Sequence, residues 1–187
     1  MYDSKIRKNI LIPLFSASLL TLCPSAASAR SMPEFTAKDL EGNEITEEIF
    51  AEKDITMVNI WGTFCGPCVE EMPDLGEISR SMPDNQQMIG LVIDVTDETD
   101  PNFALAKKIL EKADADFTQI ITNADLSEFL MDVTAVPTTI FVDSEGNLLG
   151  DAVVGNNVEE YKKRLAEYAE EFPEEKSDTQ ERTSENV

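Results

Sequence analysis

The stretch that most constrains this 187-residue chain is Met57–Pro73, which holds two cysteines three positions apart. It begins within Ile55–Trp61, a short apolar run bounded by polar residues, which predicts a buried strand rather than a helix. Glycines and a proline then interrupt the chain around Cys65 and Cys68, as expected for a tight turn. We therefore predict a strand that ends in a cysteine-containing turn.

A helix is predicted to follow this turn directly. Val69, Met72 and Leu75 recur at helical spacing, which indicates a helix from about Cys65 to Met82. Pro73 falls inside that range, where it removes one backbone hydrogen bond and is expected to kink the helix.

The position of Cys65 at the start of this helix has a chemical consequence. The unpaired N–H groups of a first helical turn and the positive end of the helix dipole favour an anion, so a thiol there ionises more readily. We therefore expect Cys65 to be a nucleophile. Cys68 lies about one turn further on and can close a small disulfide ring with it. Such pairs cycle between dithiol and disulfide through a mixed disulfide.

A zinc site or a permanent structural disulfide is the alternative for two cysteines at this spacing. Zinc usually takes four nitrogen, sulfur or oxygen ligands, but the chain has no histidine and its third cysteine, Cys23, lies near the N-terminus. We expect no metal and no bound cofactor.

Three motifs, in one order, resemble those of a known family. They are Trp61-Gly-Thr-Phe-Cys-Gly-Pro-Cys68, Glu71-Met-Pro73 and Val136-Pro-Thr-Thr139. The chain resembles the thioredoxin superfamily and, within it, the TlpA/ResA-like extracytoplasmic thiol-disulfide oxidoreductases, over about Phe35 to Phe172. This resemblance implies an α/β thioredoxin fold, with a central mixed β-sheet flanked by helices and an N-terminal β-hairpin extension.

The rest of the chain has the alternating pattern of an α/β protein. We predict a hairpin from Phe35–Leu40 and Asn43–Phe50, further strands at 88–95, 117–121, 138–142 and 148–154, and a short helix at 125–131. Asp100 and Pro101 predict a helix start, with Asp100 as the cap and Pro101 as the first helical residue. Asn157 and Glu160 resemble the capping box of a last helix, whose apolar face includes Tyr161.

The resemblance also implies a substrate-binding surface around the cysteines. Pro137 is expected to be a cis-proline that faces the disulfide, where neighbouring backbone pairs with an extended substrate. Trp61 is expected beneath the turn, and Phe64 stands where the family usually has a second tryptophan. The residues assigned to this surface are Trp61, Phe64, Gly66, Pro67, Val136 and Pro137.

Glu71 is the candidate proton acceptor for Cys68. It lies some 60° from Cys68 around the predicted helix, and partial burial would raise the pKa of its carboxyl group. An acid at this position shapes the cysteine properties in the family that the chain resembles. Asn59 stands where thioredoxins proper carry a buried aspartate, which gives Glu71 more weight. The alternative is a solvated glutamate on the helix face.

The chain is expected to divide into a leader, one domain and a tail. Residues 1–29 combine basic residues, an apolar run at Ile10–Cys23 and a small-x-small end at Ala27–Ala29, which is typical of an export signal. Cleavage after Ala29, retention as a membrane anchor and lipidation at Cys23 remain open, and each places the domain outside the cytoplasm. Residues 30–172 form the thioredoxin-like domain, and 173–187 are an acidic tail predicted to be disordered.

The charge of the chain limits its partners. Its 37 acidic and 15 basic residues give a net charge of −22, which argues against binding to nucleic acid or to an anionic membrane surface. Outside the cytosol, a solitary cysteine pair indicates catalysis rather than a disulfide scaffold.

These observations together predict an exported thiol-disulfide oxidoreductase that acts through Cys65 and Cys68. We expect it to reduce protein or peptide disulfides in the cell envelope, apocytochrome cysteines among them, as a monomer that receives electrons from a membrane thiol donor. Two alternatives remain open: an oxidase or isomerase that donates its disulfide, and a non-catalytic peptide-binding module.

Overall fold

The computed structural model describes residues 30–173, which form a mixed five-stranded sheet, four α-helices and a separate two-stranded hairpin. The strands are β1 Thr36–Lys38, β2 Glu44–Thr46, β3 Ile55–Trp61, β4 Gln86–Val92, β5 Thr118–Ile121, β6 Thr138–Asp143 and β7 Val153–Val154. The helices are α1 Gly66–Ser81, α2 Phe103–Ala113, α3 Ala124–Leu130 and α4 Val158–Glu171, with a 3₁₀ helix at Glu47–Glu52. This α/β arrangement is the thioredoxin fold that the resemblance implied.

Strand β3 lies in the middle of the main sheet, whose order is β5-β4-β3-β6-β7. It pairs in parallel with β4, so that Asn59 lies opposite Gly90, and antiparallel with β6, so that Asn59 also lies opposite Thr139. All seven residues of β3 are buried, as expected for a strand covered on both faces. The cysteine turn therefore leaves the sheet at its centre.

Alternating side chains of β3 supply two hydrophobic clusters, one on each face of the sheet. Met57 and Trp61 belong to the cluster that includes α1, α2 and α4. Val58 and Ile60 belong to the cluster on the opposite face, which includes α3 and the 3₁₀ helix. Helix α1, which carries Cys68, thus packs on the same face of the sheet as α2 and α4.

Helix α1 approaches the end of α2 very closely at Gly76. A Cβ atom at Gly76 would lie 2.5 Å from the carbonyl oxygen of Asp114 and 3.1 Å from the Cα of Ala115. Pro73 lies inside the same helix, as predicted, and Cys65 is its N-cap residue.

The predicted N-terminal hairpin is confirmed. Strands β1 and β2 pair antiparallel, with Ala37 opposite Ile45. The carboxylate of Asp39 closes the turn by accepting hydrogen bonds from the backbone N–H groups of Glu41 and Asn43.

The predicted start of the second helix at Asp100 and Pro101 is wrong. Helix α2 begins at Phe103, with Asn102 as N-cap. The carboxylate of Asp100 instead accepts hydrogen bonds from the backbone of Thr96 and Asn102, and so closes the preceding loop. The helix therefore begins two residues later than the pattern predicted, and the Asn102 side chain makes no capping bond.

Two other predicted features formed only in part. The strand expected at 148–154 is reduced to β7, with a single bridge from Leu148 to Val142. Asn157 accepts a hydrogen bond from the N–H of Glu160, but the Glu160 carboxylate binds Arg164, so the capping box has only one of its two bonds.

The leader predicted at 1–29 lies outside the described residues, as does all of the predicted tail except Pro173. Within residues 30–173, no helix has the length and apolar character needed to cross a membrane.

Candidate functional site

The cysteines form a disulfide at the start of α1. The Cys65 and Cys68 sulfurs are 2.09 Å apart, and the Cys68 N–H donates to the Cys65 sulfur at 3.2 Å. Cys65 retains 7% of its surface whereas Cys68 has none exposed. Cys65 is therefore the more accessible of the two cysteines.

Hydrogen bonds to Asp94, just after β4, hold the turn that carries Cys65. The Asp94 carboxylate accepts from the backbone N–H of Thr63 at 2.9 Å and from its hydroxyl at 2.6 Å. The N–H of Cys65 donates to the carbonyl of Gly62. Cys65 thus lies on a turn fixed to two adjacent strands.

The Val136–Pro137 peptide bond is cis and lies against the disulfide, as the resemblance implied. The Val136 carbonyl oxygen is 3.5 Å from the Cys65 sulfur. The N–H of Gly155 donates to the Pro137 carbonyl at 2.8 Å, and the Asn156 amide donates to the Pro67 carbonyl at 3.4 Å. The segment after β7 therefore joins the cis-proline to the cysteine turn.

Glu71 is fully buried on α1, three residues after Cys68. Its Oε1 accepts from the Asn59 amide at 2.9 Å, and its Oε2 accepts from the Tyr161 hydroxyl at 3.1 Å. Burial raises the pKa of this carboxyl to about 7; the hydrogen bonds from Asn59 and Tyr161 lower it, and the charge of Asp74 raises it further. The solvated alternative for Glu71 is therefore wrong.

Tyr161 and Thr139 complete the surroundings of Glu71. The two N–H groups of the Asn59 amide donate to Glu71 and to the Thr139 hydroxyl. The Tyr161 hydroxyl lies 2.8 Å from the carbonyl of Gly155. The sequence pattern predicts Tyr161 only as part of the apolar face of the last helix, with no polar contact. Its residue type could have indicated this contact, since a buried tyrosine hydroxyl usually has a hydrogen-bond partner.

Trp61 and Phe64 occupy opposite environments beside the disulfide. Trp61 has no exposed surface, and its indole N–H donates to the Gln119 side-chain oxygen at 2.9 Å. Phe64 is 70% exposed and its ring lies over Gly62, where a Cβ would come within 2.6 Å of the ring. Of these two aromatic side chains, Phe64 is open to solvent, while Trp61 is buried beneath the turn.

The predicted site residues are thus brought to one end of the sheet. Gly66 and Pro67 are exposed beside Cys65, Val136 is half-buried and Pro137 is buried beneath it. Within residues 30–173, no group of three or more potential metal-ligating side chains occurs.

Comparison with known proteins gives the family. The Redoxin family profile matches residues 27–168. The chain is 29% identical to the thiol-disulfide oxidoreductase ResA of Bacillus thuringiensis subsp. konkukian over 140 residues, which are 74% of this chain and 75% of that protein. It is 28% identical to a DsbE homologue, a thiol:disulfide interchange protein of Paracoccus denitrificans, over 132 residues, or 67% of this chain and 66% of that protein.

A solved structure shows the same fold. The crystal structure of a thioredoxin-family thiol:disulfide interchange protein from Chlorobium tepidum superposes with a TM-score of 0.62 at 19% identity, and covers 76% of this chain and 97% of that one. The family match, the relatives and the cysteine pair at disulfide distance agree. The chain therefore belongs to the Redoxin family, as a TlpA/ResA-like thiol-disulfide oxidoreductase of the thioredoxin superfamily.

Proposed function

We propose that this protein reduces protein disulfides outside the cytoplasm, with Cys65 as the nucleophile and Cys68 as the resolving cysteine. The observation that carries this assignment is the unequal exposure of the two cysteine residues, 7% for Cys65 and none for Cys68. The Val136 carbonyl beside Cys65 supports it, because an extended substrate can pair with backbone there.

The proposed cycle starts from the dithiol form. The Cys65 thiolate attacks one sulfur of a client disulfide, the client S–S bond breaks, and the other client sulfur leaves as a thiolate. The Cys68 thiolate then attacks the Cys65 sulfur and releases the second client thiolate. The client has gained two electrons and the enzyme holds the disulfide seen in the structure. A dithiol donor returns the enzyme to the start by the reverse exchange.

Glu71 supplies the proton chemistry of Cys68 in this proposal. Its carboxylate takes the proton of the Cys68 thiol, which frees the thiolate for attack. When a donor later reduces the disulfide, the leaving Cys68 sulfur recovers a proton from the Glu71 carboxylic acid. A pKa near 7 suits a group that must both accept and donate a proton near neutral pH.

The reducing direction is supported by the Cys-Gly-Pro-Cys sequence, which resembles that of reducing thioredoxins. The leader pattern at 1–29 supports a place in the cell envelope, with electrons supplied by a membrane thiol carrier and client cysteines such as those of apocytochromes. We propose that the protein works as a monomer, because the exchange uses the cysteines of one chain.

Trapping of mixed disulfides tests the roles of the cysteines. Cys68→Ser should accumulate a covalent complex with a disulfide-containing client, because Cys65 attacks and nothing resolves the product. Cys65→Ser should form no such complex and should lose turnover of insulin disulfides. Trapping at Cys68 in the Cys65→Ser variant would contradict the assignment, and full client function of that variant would indicate a binding module.

The reduction potential of the couple tests the direction. We expect a value at or below about −250 mV when residues 30–187 are equilibrated with thiol buffers. A value between roughly −120 and −180 mV would indicate an oxidase or isomerase instead.

A further inference from the structure

The hydroxyl group of Tyr161 lies between two acceptors that it cannot serve at once. It is 3.1 Å from Glu71 Oε2 and 2.8 Å from the carbonyl oxygen of Gly155, within a fully buried residue. A phenol has one proton to donate. The N–H of Asn157, 3.4 Å away, can only donate to it, and the Thr139 hydroxyl is a further hydrogen-bonding neighbour. Which acceptor receives the phenol proton must therefore depend on its neighbours.

The proton state of Glu71 decides between these acceptors. Oε1 of Glu71 already accepts from the Asn59 amide, so a proton on this carboxyl belongs on Oε2, which faces Tyr161. A protonated Oε2 donates to the phenol oxygen and leaves the phenol proton to Gly155. An ionised Oε2 is the stronger acceptor and draws the phenol proton to itself.

Gly155 connects this choice to the cis-proline. Its N–H donates to the carbonyl of Pro137 at 2.8 Å, and its φ of +88° is a conformation that favours glycine. Pro137 follows Val136, whose carbonyl lies 3.5 Å from the Cys65 sulfur. A continuous series of contacts therefore runs from Glu71 through Tyr161 to the cis-proline segment beside Cys65.

We propose that Tyr161 is a positioning residue that couples the proton state of Glu71 to the Gly155–Pro137 segment beside the client-binding cysteine. Any effect of this coupling on disulfide exchange rests on the proposed role of Glu71, whereas the coupling itself does not. In the ionised state of Glu71 the phenol bonds to Oε2 and the Gly155 carbonyl is released from it. In the protonated state the phenol bonds to Gly155.

The groups that face Glu71 come from three elements. They are the Asn59 amide of β3, the Tyr161 hydroxyl of α4 and the Asp74 carboxylate on α1 itself. Cys68, also on α1, does not titrate in the disulfide form. Measurements on the oxidised protein therefore report Glu71 without interference from a thiol.

The first test uses the unmodified, oxidised protein and nuclear magnetic resonance. The carbonyl ¹³C shift of Gly155 should titrate between pH 5 and 9 with the same midpoint as the side-chain carboxyl of Glu71. In Tyr161→Phe, Glu71 should still titrate while the Gly155 carbonyl no longer follows it. A Gly155 shift that stays constant while Glu71 titrates in the unmodified protein would overturn the proposal.

The second test measures the pKa of Glu71 in the same spectra. Loss of the hydroxyl removes a bond that is stronger for the ionised than for the protonated carboxyl, so Tyr161→Phe should raise the pKa of Glu71 by about one unit. Tyr168→Phe is the matched control, because it removes from the same helix a hydroxyl that bonds to Leu149 instead. Equal shifts in both variants, or none in Tyr161→Phe, would contradict the coupling.

The failure of this inference can be distinguished from failure of the proposed function. If Glu71→Gln leaves the pH profile of disulfide exchange unchanged, Glu71 has no catalytic role, yet the shifts of Gly155 still report the coupling. If Glu71 is catalytic and the coupling holds, Tyr161→Phe should move the pH profile of exchange upward along with the Glu71 pKa, and Tyr168→Phe should leave it in place.

Discussion

Glu71 lies in the core with its carboxylate oxygens bonded to an amide and a phenol rather than to a cation. Neither partner offsets the cost of removing the charge from water, and the pKa of the group rises from 4.5 to about 7. The same residue therefore carries a stability cost and a candidate chemical role.

Glu71→Gln should change the pH dependence of stability of the oxidised protein. Between pH 4.5 and 7 the folded protein holds a proton that the unfolded chain has released, so the free energy of unfolding falls as pH rises. A shift of this size corresponds to a fall of about 3 kcal/mol in the free energy of unfolding. The Glu71→Gln variant should not show this fall. Urea unfolding of both proteins at pH 4.5 and pH 8 measures the difference.

The control for this experiment is Glu70→Gln. Glu70 is exposed on the same helix, so its variant should follow the unmodified protein at both pH values. If unfolding free energies of the unmodified protein and Glu71→Gln change in parallel with pH, the burial of an ionisable Glu71 is contradicted.

Phe64 offers a second prediction at the residue scale. Its ring is 70% exposed beside Cys65, and an exposed aromatic side chain at a binding surface supplies contact area for a partner. Phe64→Ala should raise KM for a protein disulfide by about threefold to tenfold, the loss expected of a modest contact. Its rate with a small disulfide such as oxidised glutathione should not change. An equal loss with both substrates would indicate damage to the disulfide itself.

At the scale of elements, the packing of α1 against the end of α2 depends on the absence of a side chain at Gly76. The nearest atoms to a Cβ there belong to the backbone of Asp114 and Ala115, which cannot rotate away as a side chain would. This contact holds the helix that carries Cys68.

Gly76→Ala should destabilise the protein by about 1–3 kcal/mol, since the backbone clash outweighs the gain in helix propensity. Chemical denaturation measures the change. Glu77→Ala, at an exposed position one residue later, should stay within about 0.5 kcal/mol of the unmodified protein. A Gly76→Ala protein of equal or greater stability would show that the two helices can separate at little cost.

Sequence patterns predicted most elements because the strands are short buried runs and the helices carry regular apolar faces. They failed where one side chain had two possible uses. Asp100 was a plausible helix cap, but its carboxylate closes the loop from Thr96. The position of Glu71 next to Cys68 followed from helical spacing. Its contact with Tyr161 did not, since ninety residues separate them and only the fold brings α4 against α1.

The support of Trp61 was also beyond sequence reasoning. No sequence motif marks Gln119, yet its side-chain oxygen accepts a hydrogen bond from the indole N–H of Trp61. It can lie there because Gly90, opposite it on β4, has no Cβ; one would come within 1.9 Å of that oxygen. A pairing of this kind depends on strand register, which the apolar pattern of these strands does not define.

At the scale of the whole molecule, the negative charge is unevenly distributed along the chain. The net charge is −22, and no lysine or arginine occurs from Ala113 to Tyr161. That range contains α3, the cis-proline segment and β7. Part of the surroundings of the disulfide is therefore built from a stretch whose charges are all negative.

This charge should make the exchange rate depend on the charge of the client. A disulfide peptide flanked by lysines should react about tenfold faster than one flanked by glutamates at low ionic strength, through electrostatic steering. The difference should shrink in 0.5 M salt, as screening shortens the range of the field. A serine-flanked peptide serves as the neutral control. Equal rates for all three peptides at low salt would contradict the prediction.

The burial of Cys68 behind Cys65 determines the order in which partners visit the enzyme. In the proposed cycle, a donor thiol and a client disulfide must both reach Cys65, the more exposed of the two cysteines, beside the Val136 carbonyl, so they cannot be bound together. Each half of the cycle has to finish before the other begins. This order gives substituted-enzyme (ping-pong) kinetics, with parallel lines in double-reciprocal plots of rate against substrate concentration. An excess of either partner then inhibits the other, and the flow of electrons through the protein is set by the balance of the two concentrations.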